Sequence, residues 1–124
     1  MNESNDKKEA LTSREIMKEE SMEVLNRIDW EKIRDLAREL GYMIAMHGSL
    51  ERDIDLIACP WVEDAKRPHD LALAICNEVN GFIDKKTNPT VKPHGRLAFA
   101  INFVGMHTYL DLSVMPRIRR NQDD

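Results

Sequence analysis

Asp53 and Asp55 flank Ile54 in the run Asp53-Ile54-Asp55-Leu56, and Gly48-Ser49 stands shortly before them. A second acidic and apolar run, Tyr109-Leu110-Asp111-Leu112-Ser113-Val114, lies toward the other end of the chain. Read as strands, both runs alternate faces with a period of two. Asp53 and Asp55 then share a face, with Cα atoms roughly 6.6 Å apart, while Ile54, Leu56 and Ala58 point the other way. In the second run Tyr109, Asp111 and Ser113 share one face, and Leu110, Leu112 and Val114 the opposite one. If both apolar faces cover the same core, Asp111 joins Asp53 and Asp55. Like charges on neighbouring strands destabilise a sheet, so such a trio holds protons more tightly or recruits a cation. Hard carboxylate oxygens suit Mg²⁺ or Mn²⁺, with substrate phosphates completing the shell. A solvated acidic strand face is the alternative.

The elements that would position these residues follow from capping and periodicity. Thr12 or Ser13 caps a helix with Glu15 in its first turn, running to about Asn26. Its apolar set, Ile16, Met17, Val24 and Leu25, is thin, which suits an outer helix or, over 12–26, a surface for a homodimer or a protein partner. Asp29 caps a second helix, where Trp30, Ile33, Leu36, Ala37 and Leu40 recur at helical spacing and Gly41 supplies the left-handed stop. Tyr42 to Met46 is a short strand leading to His47-Gly48-Ser49. The chain reverses over Leu50-Glu51-Arg52 into the strand Asp53 to Cys59, which Pro60 ends. A third helix opens at Pro68, carries Leu71, Ala72, Ala74, Ile75 and Val79, and closes at Gly81. Residues 84–96 read as a long loop. Strands over 97–104 and 108–115 follow, joined by a turn at Gly105-Met106-His107. This order predicts an α+β domain, a mixed or antiparallel sheet of about four strands with helices packed on one face. Residues 1–11 are expected to be disordered, 12–116 form the single domain, and 117–124 make a tail that is basic through Arg117, Arg119 and Arg120 and acidic through Asp123 and Asp124.

An apolar content of 42% and a charged content of 32% in 124 residues describe a globular chain large enough for one core. The net charge of −4 argues against a global electrostatic footprint for nucleic acid. No apolar run approaches the ~18 residues of a membrane span, and the N-terminus lacks the apolar core of a signal peptide. The expected place is the cytoplasm, with no membrane partner. Cys59 and Cys76 form no C-x-x-C pair and read as buried thiols in a reducing compartment.

Other residues carry chemistry of their own. In Lys92-Pro93-His94-Gly95-Arg96, the three basic side chains can engage phosphate or a nucleic-acid backbone, Arg96 in a bidentate way. An ordinary basic surface turn is the alternative. His47, His69, His94 and His107 show no zinc spacing, although His47 abuts Gly48 and is placed to contact a nucleotide. Ser49 lacks the G-x-S-x-G setting of a hydrolase nucleophile. Trp61 and Tyr109 either stack on a base or cover the edge of the core.

On Gly48-Ser49, Asp53-Ile54-Asp55-Leu56 and Leu110-Asp111-Leu112 the chain resembles the nucleotidyltransferase superfamily that includes DNA polymerase beta and the small bacterial nucleotidyltransferases. The resemblance covers about residues 29–116. Two stretches, 47–61 and 92–96, are also similar to small proteins often encoded by bacteriophages. The resemblance implies a nucleotidyltransferase-like fold and the transfer of a nucleoside monophosphate from an NTP, with ATP the first choice, to a hydroxyl on a protein, an RNA or a small molecule. It implies that Asp53, Asp55 and Asp111 ligate a pair of magnesium ions (or Mn²⁺), typically about 3.5–4 Å apart, and act as the catalytic residues. Gly48 and Ser49 would hold the triphosphate, with Arg52, His94 and Arg96 as further phosphate contacts. The family's spacer carries the start of a helix, whereas only Leu50, Glu51 and Arg52 intervene here. The alternative is a non-catalytic module on the same fold that binds a nucleotide or a protein.

Overall fold

The computed structural model describes residues 12–117. The expectations for residues 1–11 and for Arg119, Arg120, Asp123 and Asp124 lie outside them. In chain order come α1 (Ser13–Arg27), α2 (Trp30–Glu39), β1 (Tyr42–His47), β2 (Ile54–Pro60), α3 (Pro68–Glu78), β3 (Thr90–Val91), β4 (Leu97–Asn102) and β5 (Tyr109–Val114). A short 3-10 turn, Pro93–Gly95, precedes β4.

The helix starts follow the capping chemistry. The Thr12 hydroxyl accepts from the Glu15 N–H at 3.1 Å, the Asp29 carboxylate from the Lys32 N–H at 3.2 Å, and the Asp70 carboxylate from the Arg67 N–H at 3.2 Å. α2 stops where Gly41 turns left-handed, at φ +93°. The end of α3 departs from expectation. The left-handed residue is Asn80, at φ +57°, whose short polar side chain tolerates that region. Gly81 instead makes room, because a Cβ there would lie 2.6 Å from Ile101 Cγ2 on β4.

The five strands form one mixed sheet in the order β1-β2-β5-β4-β3. β2 and β5 run parallel, and every other neighbouring pair is antiparallel. The fifth strand, beyond the roughly four expected, is the edge pair Thr90–Val91, too short and too exposed to show a hydrophobic period. One face of the sheet carries Ile54, Leu56, Ala58, Phe99, Ile101, Leu110, Leu112 and Val114 into a core shared with Val24, Ile33, Ala37, Leu71 and Ile75 of the helices. On the other face Met43, Ala45, His47 and Cys59 are exposed, while Asp55, Ile57, Asp111 and Ser113 are half-buried. Cys59 therefore corrects the expectation of two buried thiols: Cys76 is buried in α3 and Cys59 is exposed. The alternation that turns Asp55 outward turns Cys59 outward with it. Among the described residues no helix is long and apolar enough to cross a membrane.

Candidate metal centre

The carboxylates meet because of strand register. Asp55 on β2 pairs directly with Asp111 on the parallel strand β5. His47 pairs with Asp55 from the other side, and Ala100 with Asp111, so one row across four strands reads His47, Asp55, Asp111, Ala100. β2 begins at Ile54, and Asp53 sits on the bend just before it. One oxygen from each of Asp53, Asp55 and Asp111 lies within 4.8 Å of the others, and all three residues are half-buried. With Mg²⁺–oxygen bonds of about 2.0–2.1 Å, two ligand oxygens of one octahedral ion sit about 3–4.2 Å apart. The trio's oxygens lie within 4.8 Å of one another, close to that spacing, so these three carboxylates could hold a metal ion.

The electrostatics are those of a crowded acidic cluster that nearby cations compensate only in part. Burial pushes the Asp55 carboxyl up from the ordinary range, and the charges of Asp53 and Asp111 push it further. Asp111 is also raised, first by burial and then by Asp53, with Lys92, His47 and Arg96 partly offsetting it. The Tyr109 phenol is raised by burial and by the nearby charges of Asp53 and Asp111. These groups hold protons more tightly than they would in water, first because they are partly buried and then because like charges share the site.

Gly48 is tied to this cluster by space. It is left-handed at φ +81°, and a Cβ would stand 2.6 Å from Asp55 Oδ2. Ser49 is exposed, and its hydroxyl accepts from the Glu51 N–H at 3.4 Å. The turn between β1 and β2 contains no helix, so no helix N-terminus faces the carboxylates from it. Arg52 is exposed, and what fixes it is its main-chain carbonyl. Arg96 is brought to the site as a charge acting on Asp111. His94 is exposed on the 3-10 turn, and among the described residues no contact links it to the carboxylates.

A buried polar network holds the cluster's two entry loops together. The Ser21 and Thr108 hydroxyls are fully buried. They lie 2.6 Å apart, at 2.7 and 2.8 Å respectively from the Arg52 carbonyl oxygen. The Glu20 carboxylate accepts from the His107 N–H at 2.7 Å and the Thr108 N–H at 3.0 Å. α1 thus clamps the residue before Asp53 to the residue before Tyr109, which sets the approach of β2 to β5. Its inner side is a part of the domain rather than a free surface.

Some of these residues were weakly signalled or silent in the chain. Tyr109 shares parity with Asp111, so the period of two points to it. His47 and Lys92 are themselves among the residues the sequence singles out. Nothing in the spacing of Glu20, Ser21 and Thr108 shows that they meet. Comparison of the chain with protein-family models, with curated proteins and with solved structures gives no match.

Proposed function

We propose that this protein is a metal-dependent nucleotidyltransferase with a nucleotidyltransferase-like core, acting in the cytoplasm on an NTP. The observation that carries the reading is the convergence of Asp53, Asp55 and Asp111 within 4.8 Å, on a sheet face that no core packing covers, with Gly48 packed against Asp55. In the proposed reaction an acceptor hydroxyl oxygen bonds to the α-phosphorus of the NTP. The bond to the bridging oxygen breaks, and its electron pair leaves with pyrophosphate. Asp111 takes the hydroxyl proton and passes it to water. Asp53, Asp55 and Asp111 would hold Mg²⁺ or Mn²⁺, which supplies charge neutralisation to the entering and leaving oxygens. Gly48 lets the backbone approach the phosphates closely, and the exposed Ser49 hydroxyl is free to donate to them. Catalysis of this kind is mostly positioning and charge stabilisation, so few side chains are needed.

The test is a thermal shift with Mg²⁺ and each of the four NTPs, followed by pyrophosphate release with candidate acceptors. A metal-dependent shift that disappears in Asp55→Asn and Asp111→Asn supports the reading. No shift with any NTP would defeat it. A second reading is favoured by the helix-free turn before β2: the same fold binds a nucleotide or a protein without chemistry. The outer side of α1, where Met22 is exposed, would then meet a second copy or a partner protein. NTP binding without pyrophosphate release from any acceptor would favour this second reading.

A further inference from the structure

Beside Asp111, on the side away from Gly48, the open face deepens into a groove of about 290 Å³. Its wall is built by Thr87, Asn88, Thr90 and Lys92, and Ala98, Phe99 and Ala100 of β4 line it as well. The chemistry along it is graded. Asp111 and Tyr109 line one part, and Thr90 and Lys92 another. Asn88 also lines it but is already committed: its side-chain oxygen accepts from the Ala100 N–H at 2.6 Å, and its amide donates to the Asp84 carbonyl and the Thr87 hydroxyl, each at 3.1 Å. Asn88 is therefore wall, Tyr109 is hydrogen-bonded to Asp53, and Thr90 and Lys92 are the groups left to meet a ligand.

Three observations give the groove a preferred charge. Among the described residues neither Lys92 nor Arg96 is in an ion pair. The Arg96 Nε is buried with no hydrogen-bond partner, and its residue meets Lys92 through a 2.8 Å backbone bond at the start of β4. The segment 84–96 sets Lys85, Lys86, Lys92 and Arg96 against the single carboxylate Asp84, in a chain of net charge −4. Lys92 lines the groove and Arg96 adjoins it, and both also act on the charge of Asp111; cations outside any ion pair beside a carboxylate cluster fit a molecule that is anionic in one part and offers a neutral hydroxyl in another.

We propose that this groove seats the acceptor, and that the acceptor carries phosphate close to its reactive hydroxyl, as a nucleotide or the end of a nucleic-acid strand does. The proposal rests on the nucleotidyltransferase reading of the carboxylates. The phosphate lies against Lys92, with Arg96 behind it, and the hydroxyl reaches Asp111. The volume suits one nucleotide unit, being near the lower end of small-molecule sites.

The test is an NMR titration of the metal-free full chain with adenosine, with AMP and with a short oligoadenylate, repeated in Asp55→Asn and in Lys92→Gln. AMP and the oligoadenylate should move the Ala98, Ala100 and Tyr109 amides in wild type and in Asp55→Asn, and adenosine should not. Lys92→Gln should weaken AMP about fivefold and lower the salt slope of oligoadenylate binding by about 0.7. Tighter binding of the oligoadenylate than of AMP identifies a strand terminus, and equal binding a mononucleotide. Groove amides that ignore both phosphate compounds, or that respond equally to adenosine, would overturn the proposal. So would a Lys92→Gln variant with unchanged affinity. A phosphate site that persists in a protein indifferent to metal and NTP would sink the enzyme reading rather than the groove.

Discussion

Replacing Asp55 by Asn removes one charge from the centre of the cluster while keeping the side chain's size, and it should invert the protein's response to metal. At a separation of 4.8 Å, two unit charges repel by about 0.9 kcal/mol at the dielectric of water and about 3.5 kcal/mol at an effective dielectric of 20. Asp55 feels both Asp53 and Asp111, but half-exposed carboxylates are screened by solvent, which favours the lower part of that range. Relief of the repulsion should therefore stabilise the metal-free variant by about 1–2 kcal/mol, a Tm rise of roughly 3–6 °C per kcal/mol in a chain of this size. Wild type in Mn²⁺ at a hundred times its Kd should gain about 2.7 kcal/mol, and the variant much less. Melting curves in chelator and in excess Mn²⁺ read both arms: the variant is the more stable protein without metal and the less stable one with it. A variant that is destabilised in chelator, or that gains as much from Mn²⁺ as wild type, would refute the crowding of these carboxylates.

Asp55 and Asp111 both bind their protons more tightly in the folded protein, so the stabilisation they contribute is present below the unfolded carboxylate pKa of about 4 and is lost as pH rises through their folded values. Metal-free stability should fall across that window and Mn²⁺ affinity should rise, which urea melts and calorimetric titration at several pH values will show. Gly48→Ala forces a Cβ against Asp55 Oδ2 at a left-handed position; it should cost about 1–2 kcal/mol and weaken Mn²⁺ binding, as measured by titration. Ser21→Ala and Thr108→Val should each be mild, because the remaining hydroxyl still serves the Arg52 carbonyl. The double variant orphans that part-buried acceptor, so it should cost about 1 kcal/mol more than the sum in a denaturant double-mutant cycle. A maleimide should label native protein at Cys59 alone, with the buried Cys76 reacting only after unfolding, as peptide mapping will report.

How far the chain could be read depended on whether its signals were local. Thr12 and Asp29 mark helix starts through bonds that span three residues, and Pro68 through its fixed backbone angle, so their chemistry is visible in the sequence. The period of two told which faces Asp53, Asp55 and Asp111 occupy, and the same parity would have placed Cys59 outside had its apolar neighbours not outweighed it. The direct pairing of Asp55 with Asp111 needed the β2–β5 register, which no local pattern carries. The two exposed residues of β3 carry no period to read. Glycine is the usual left-handed residue, which points to Gly81 as the stop after α3, whereas Asn80 takes that conformation and Gly81 answers to Ile101. Ser21 and Thr108 stand 87 positions apart, and only the packing of α1 brings their hydroxyls together.

The most direct measurement is a crystal of the full chain grown with Mn²⁺ and a non-hydrolysable NTP, with data collected at the manganese edge. An anomalous peak bonded to oxygens of Asp53, Asp55 and Asp111, with the triphosphate against Gly48 and Ser49, is the expected result. Saturating Mn²⁺ with no peak among these three side chains, or a peak elsewhere on the molecule, would contradict it.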